Sequence, residues 1–134
     1  MKRFTFAALL LALTAGMYAS AQDTSAVSDE QRKKAVGIMR ILNTAELQCF
    51  LTAKTYGSIE DLRSAGLLEK ARSLYPALAD MPQGDEPIPG FTVRLNTSDD
   101  KKHYQLSITP DASPYAFGFF SDERGLIYEG HPLQ

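Results

Sequence analysis

Residues 91–109 read FTVRLNTSDDKKHYQLSIT, and the period of their apolar positions decides the fold. Phe91, Val93 and Leu95 alternate with Thr92, Arg94 and Asn96, and Tyr104, Leu106 and Ile108 alternate with Gln105, Ser107 and Thr109. A period of two sends successive side chains to opposite faces, so each run predicts an amphipathic strand. The polar segment 97–102 between them is short enough for a hairpin. Residues 110–114 predict the next turn, 117–121 a third strand, Asp122-Glu123-Arg124-Gly125 a tight turn, and 126–129 a fourth strand. Strands in sequence with short connections pair antiparallel, so the second half predicts a four-stranded meander with one apolar face.

Upstream the period changes. Ser28, followed by Asp29, Glu30 and Gln31, has the form of a capping box and predicts a helix start. Ala35, Ile38, Met39, Leu42, Ala45, Cys49, Ala53 and Tyr56 then recur at steps of three and four, predicting a helix that runs to about Gly57. Val36, Ile41, Leu47, Phe50 and Leu51 widen the apolar surface, which predicts a helix lying across the sheet and touching a second helix. Ser58 caps a shorter helix with Ile59, Leu62 and Leu67 or Leu68 inward; Gly66 breaks it, and residues 69–74 add a further turn. Pro76, Pro82, Gly84, Pro87, Pro89 and Gly90 mark a connecting loop, since proline lacks the amide donor and glycine is too free for a helix or central strand. The fold class is therefore α+β, with a long N-terminal helix packed on a four-stranded antiparallel sheet and one or two short helices between.

The chain opens with Lys2 and Arg3, an apolar run over 4–17, and the small residues Ala19-Ser20-Ala21. That order predicts a secretory signal peptide over 1–21, cleaved before Gln22. Its apolar run is shorter than the roughly 20 residues needed to span a bilayer, and no second apolar segment follows, so no membrane span is expected after cleavage. The remainder, 22–134, is about the length of one domain with a modest core. The protein is expected to be exported, to the periplasm or beyond the cell.

The chain carries 14 basic and 16 acidic residues, for a formal net charge of -2, and loss of Lys2 and Arg3 makes the remainder more acidic. This balance argues against nucleic acid as a partner. Arg32-Lys33-Lys34, at the start of the first helix, reads as a solvated helical face. The single cysteine, Cys49, allows no intrachain disulfide and falls on the apolar helix face, where a buried small hydrophobe is expected.

The run Ile38-Met39-Arg40-Ile41-Leu42-Asn43-Thr44-Ala45-Glu46, continued by Thr55-Tyr56-Gly57 and residues 62–68, resembles the globular part of type IV pilin-like and type II secretion pseudopilin-like proteins. The ending resembles their closing strands, in His103-Tyr104-Gln105-Leu106-Ser107-Ile108-Thr109-Pro110 and in Phe119-Phe120-Ser121-Asp122-Glu123-Arg124-Gly125-Leu126-Ile127. The resemblance covers about residues 35–129 and implies a helix packed on an antiparallel sheet. Family members that polymerise carry a glycine cleavage site, a nearby glutamate and a long apolar helix retained on the mature protein. Here the apolar segment precedes its cleavage site, and residues 22–34 are polar. The resemblance thus implies a pilin-like head delivered without the polymerisation helix, to cap, chaperone or compete with filament subunits, or to serve another purpose on a reused scaffold.

Catalytic chemistry has few candidates. Cys49 or a serine with His103 or His131 would make a nucleophile and base, but no Gly-x-Ser-x-Gly elbow occurs and His131 lies in the last few residues. The acidic pairs Asp99-Asp100 and Asp122-Glu123 fall in predicted turns, where aspartate is common because its side chain bonds the following backbone. Calcium at Asp122-Glu123 is the alternative use of such a turn. Asn96-Thr97-Ser98 is a glycosylation acceptor in form only. Tyr104, Tyr115, Phe117, Phe119, Phe120 and Tyr128 concentrate in the sheet, and strand alternation forbids Phe119 and Phe120 from sharing one core. These readings assign no catalytic, cofactor-binding or metal-ligating residue and no cofactor. The expectation is a non-enzymatic module acting through protein contacts, with an unidentified protein partner. The alternative is a periplasmic small-ligand binder or enzyme, which a deep pocket lined by His103 and carboxylates would favour.

Overall fold

The computed structural model describes residues 27–78, 88–111 and 117–131. The signal-peptide segment, most of the proline-rich loop and Tyr115 lie outside them. The elements are α1 (Asp29–Ala53), α2 (Ile59–Ser64), α3 (Leu67–Ser73), a short 3₁₀ turn (Pro76–Leu78), β1 (Phe91–Thr97), β2 (Tyr104–Pro110), β3 (Gly118–Asp122) and β4 (Ile127–Gly130). The strands form one antiparallel sheet in the order β1-β2-β3-β4, the meander that the period predicts.

Both N-terminal caps form as the sequence implies. The Ser28 hydroxyl accepts from the Gln31 amide at 3.2 Å while Gln31 Oε1 accepts from the Ser28 amide at 3.0 Å. Ser58 and Asp61 make the same reciprocal pair at the start of α2. Gly66, at φ 70, ends the α2 segment and begins α3, a left-handed conformation that glycine adopts without a Cβ clash.

The long helix stops earlier than its period suggests. It ends at Ala53, and Lys54 takes a left-handed conformation at φ 62 while its amide bonds the Phe50 carbonyl at 2.8 Å. The next residues are claimed by the rest of the fold. Tyr56 N–H donates to the Lys101 carbonyl at 2.9 Å, Gly57 N–H to Glu46 Oε2 at 3.0 Å, and Lys102 Nζ to the Lys54 carbonyl at 2.6 Å. Tyr56 is buried as its spacing implies, but from a loop.

One cluster of apolar residues joins all layers. Ala35, Ile38, Met39, Leu42 and Ala45 of α1 meet Leu62, Ala71, Ile88, Phe91, Leu106, Ile108 and Phe119. Each enclosed large side chain contributes about 1.5–3 kcal/mol relative to exposure. The register pairs Ile108 with Phe119 and Leu106 with Ser121, so these four share the inner face, and Phe120 points outward opposite Ser107 and Tyr128. Alternation alone keeps the two phenylalanines on opposite faces; the register and burial put Phe119 inside and Phe120 outside. Two α1 expectations need correcting. Leu47 and Leu51 are 54% and 61% exposed, because the sheet and the α2–α3 pair cover two sides of the helix and leave these residues on a third. Cys49 and Ala53, expected on the covered face, are half-buried and exposed, since the cover ends near that point.

Candidate functional site

Arg40, Asn43, Thr44 and Leu47 lie at steps of three, one and three along α1 and so share one side of the helix. With Tyr56 from the α1–α2 connection, Tyr75 after α3, Tyr104 opening β2, and Glu123, Arg124 and Gly125 of the β3–β4 turn, they enclose a cleft of about 270 Å³.

Two sets of hydrogen bonds join its lining residues. Tyr104 donates its hydroxyl to Asn43 Oδ1 at 2.9 Å, and Asn43 Nδ2 donates to Ser121 Oγ at 2.8 Å. The Thr44 and Tyr75 hydroxyls share a bond of 2.9 Å. Tyr56 stacks on Phe50 with ring centroids 4.8 Å apart and meets Tyr104 edge-on at 4.8 Å. On the rim, Arg124 grips Asp122 with its Nε and Nη2, Nε lying 2.9 Å from Oδ2, and its guanidinium sits 5.7 Å from the Tyr128 ring centroid. This holds the Asp122 carboxyl below the usual range. Glu123 accepts from His103 Nδ1 at 2.9 Å, which lowers the Glu123 pKa and raises that of His103.

Glu46 lies on the inward side of the same helix stretch and is wholly enclosed. Its Oε2 accepts the Gly57 N–H, and Oε1 has no partner among the described residues. Burial raises its pKa from an ordinary 4.5 to about 7; the Gly57 bond opposes that rise and the field of Asp61 adds to it. Tyr104 is likewise pushed up, by burial first and then by the Glu46 field, so its hydroxyl stays a donor throughout the physiological range.

The candidates read from the sequence fall in separate places. The His103 ring is bound to Glu123, whereas Cys49 Sγ lies beside Gly57 on the other flank of α1. Burial, then the fields of Glu46 and Asp61, raise the Cys49 pKa, which disfavours a nucleophilic thiolate. His131 is exposed and meets Phe117 edge-on at 5.7 Å. Asp100 accepts from Ser98 Oγ at 2.6 Å and from the Lys102 amide at 3.0 Å, which is turn chemistry. Among the described residues, no three His, Cys, Asp or Glu side chains gather to hold a metal, and no helix is long and apolar enough to cross a membrane. In the basic cluster, Arg32 bridges to Glu129 at 2.6 Å and Lys34 to Glu30 at 2.8 Å. His103 is not among the residues lining the cleft, although its partner Glu123 is.

A second depression, of about 400 Å³, lies on the outer sheet face over Gln105, Ser107, Phe120 and Tyr128. The site residues that sequence reasoning missed are Glu46, Asn43, Arg40 and Tyr75. For Glu46 a signal existed, because 39, 42 and 46 are helical neighbours and an acid there interrupts a core face. Comparison with known protein families, curated proteins and solved structures yields no match.

Proposed function

We propose that this chain is an exported, non-enzymatic module of pilin-like plan that acts through contacts with a protein partner. The observation that carries the reading is the pair Leu47 and Leu51, one helical turn apart, 54% and 61% exposed on a helix whose other apolar residues are largely covered. Leu47 also forms part of the tyrosine cleft. Tyrosine, arginine and large apolar side chains around a concave centre are the composition that protein interfaces favour. The pilin-like part is supported by the order of elements, one long helix followed by an antiparallel meander that it crosses. A type IV pilus or type II secretion assembly is the setting this plan suggests.

The test is affinity capture from envelope and culture-supernatant fractions with the tagged protein beside a Leu47→Glu, Leu51→Glu double variant. The proposal expects proteins enriched by the parent and lost with the variant, the variant keeping its helical circular dichroism. Equal recovery with both, or recovery of nothing by the parent, would count against it.

A further inference from the structure

The cleft's hydrogen-bonding groups divide into those already committed and those still open. Arg124 is spent on Asp122, Glu123 on His103, the Tyr104 hydroxyl on Asn43, and the Asn43 amide on Ser121. Two groups remain. Among the described residues the Arg40 guanidinium has no ion pair or hydrogen bond, and the Tyr56 hydroxyl has no hydrogen-bond partner. Thr44 and Tyr75 share one bond between two hydroxyls, so one O–H proton of that pair is open as well. Each of these positions can donate, and the one charge among them without a partner is positive, beside the apolar surface of Leu47 and the tyrosine rings.

Such a lining selects an acceptor. The guanidinium fork matches a planar carboxylate in two parallel bonds, and one uncommitted cation balances one negative charge better than the nearly two of a phosphate. A volume of about 270 Å³ falls at the lower edge of small-molecule sites, which suits a single side chain and excludes a large cofactor. Glu123 on the rim would repel an anion, but His103 partners it.

We propose that the cleft is the pocket for one acidic side chain, glutamate or aspartate, on an extended segment of the partner protein, with Arg40 as its counter-ion and Tyr56 as its second donor. The inference rests on the protein-contact reading and names the chemistry that reading leaves open. Leu47 and Leu51 then hold the apolar residues flanking the acid.

The probe is the blocked tripeptide acetyl-Leu-Glu-Leu-amide, titrated into the isotope-labelled protein while the Arg40 Nε–H and Leu47 amide resonances are followed by NMR. The expected result is a saturating shift of both, at least tenfold weaker with the Gln counterpart, and about tenfold weaker in Arg40→Gln, since a charge-assisted bond is lost from an exposed helix position. Arg40→Lys, which keeps charge without the fork, should fall between. No saturating shift, an equal response to the Gln peptide, or an equal response to inorganic phosphate would overturn the proposal. If capture depends on Leu47 and Leu51 but is untouched by Arg40→Gln, the partner reading stands and the acidic pocket falls. If capture recovers nothing, the titration still decides the pocket.

Discussion

Glu46 Oε2 accepts the Gly57 N–H at 3.0 Å inside the protein, and this bond ties the middle of α1 to the start of α2. A buried carboxyl with one acceptor satisfied and Oε1 unpartnered is a costly anion, which is why its pKa rises to about 7. Because the folded value lies above the unfolded one, the contribution to stability is full below the unfolded pKa and is lost as pH rises through the folded one. Between pH about 4.5 and 7 the loss is about 3 kcal/mol. We predict that Glu46→Gln, which keeps an acceptor for Gly57 without a charge, removes that slope. Urea denaturation of both proteins at pH 5 and pH 8 checks it, and a parent-to-variant difference equal at the two pH values would refute it.

Asn43 is the joint between α1 and the sheet. Its amide accepts from Tyr104 and donates to Ser121, so Asn43→Ala leaves a buried tyrosine hydroxyl without its acceptor. A loss of about 1–3 kcal/mol is expected, the penalty for an unsatisfied buried polar group. Denaturant midpoints measure it, and Tyr104→Phe in the Asn43→Ala background should recover part of the loss, because it removes the orphaned donor.

How much of this was legible beforehand differs between backbone and site. The strands, caps and breaks rest on local signals: alternation over 91–109, Ser28 with Gln31, Ser58 as a cap, and Gly66. Each involves residues within a few positions of one another. The cleft joins residues 40, 75, 104 and 124, which only the tertiary path brings together, and nothing periodic marks them. Periodicity also mislocated the α1 terminus. Tyr56 fits the helical spacing and is buried, but Lys101 and Glu46 bind the backbone of 56 and 57 from outside the helix. Leu47 and Leu51 show the converse limit, since apolar width on a helix does not reveal which part a neighbour covers.

That contrast along α1 gives a paired prediction. Leu42 is buried and Leu51 is 61% exposed, nine positions further on. Leu42→Ala should cost about 2–5 kcal/mol by lost transfer energy and a cavity, while Leu51→Ala should stay within about 0.5 kcal/mol. Thermal denaturation of the two variants distinguishes them, and equal losses would mean that the outer face is covered in solution.

Lys54 ends α1 in a left-handed conformation, at φ 62, that costs a residue with a Cβ about 1 kcal/mol and costs glycine nothing steric. Its side chain is exposed, and the tertiary contact it makes is through its carbonyl, which accepts from Lys102 and survives substitution. Lys54→Gly should therefore stabilise the protein by up to about 1 kcal/mol, offset in part by the greater freedom of glycine in the unfolded chain. Lys54→Val should do the reverse, because a β-branched side chain is crowded at positive φ. The expected order of the three melting temperatures is Gly above Lys above Val. A stabilising valine would show that the helix ends in some other conformation, and the tie between Lys54 and Lys102 would then have to be drawn differently.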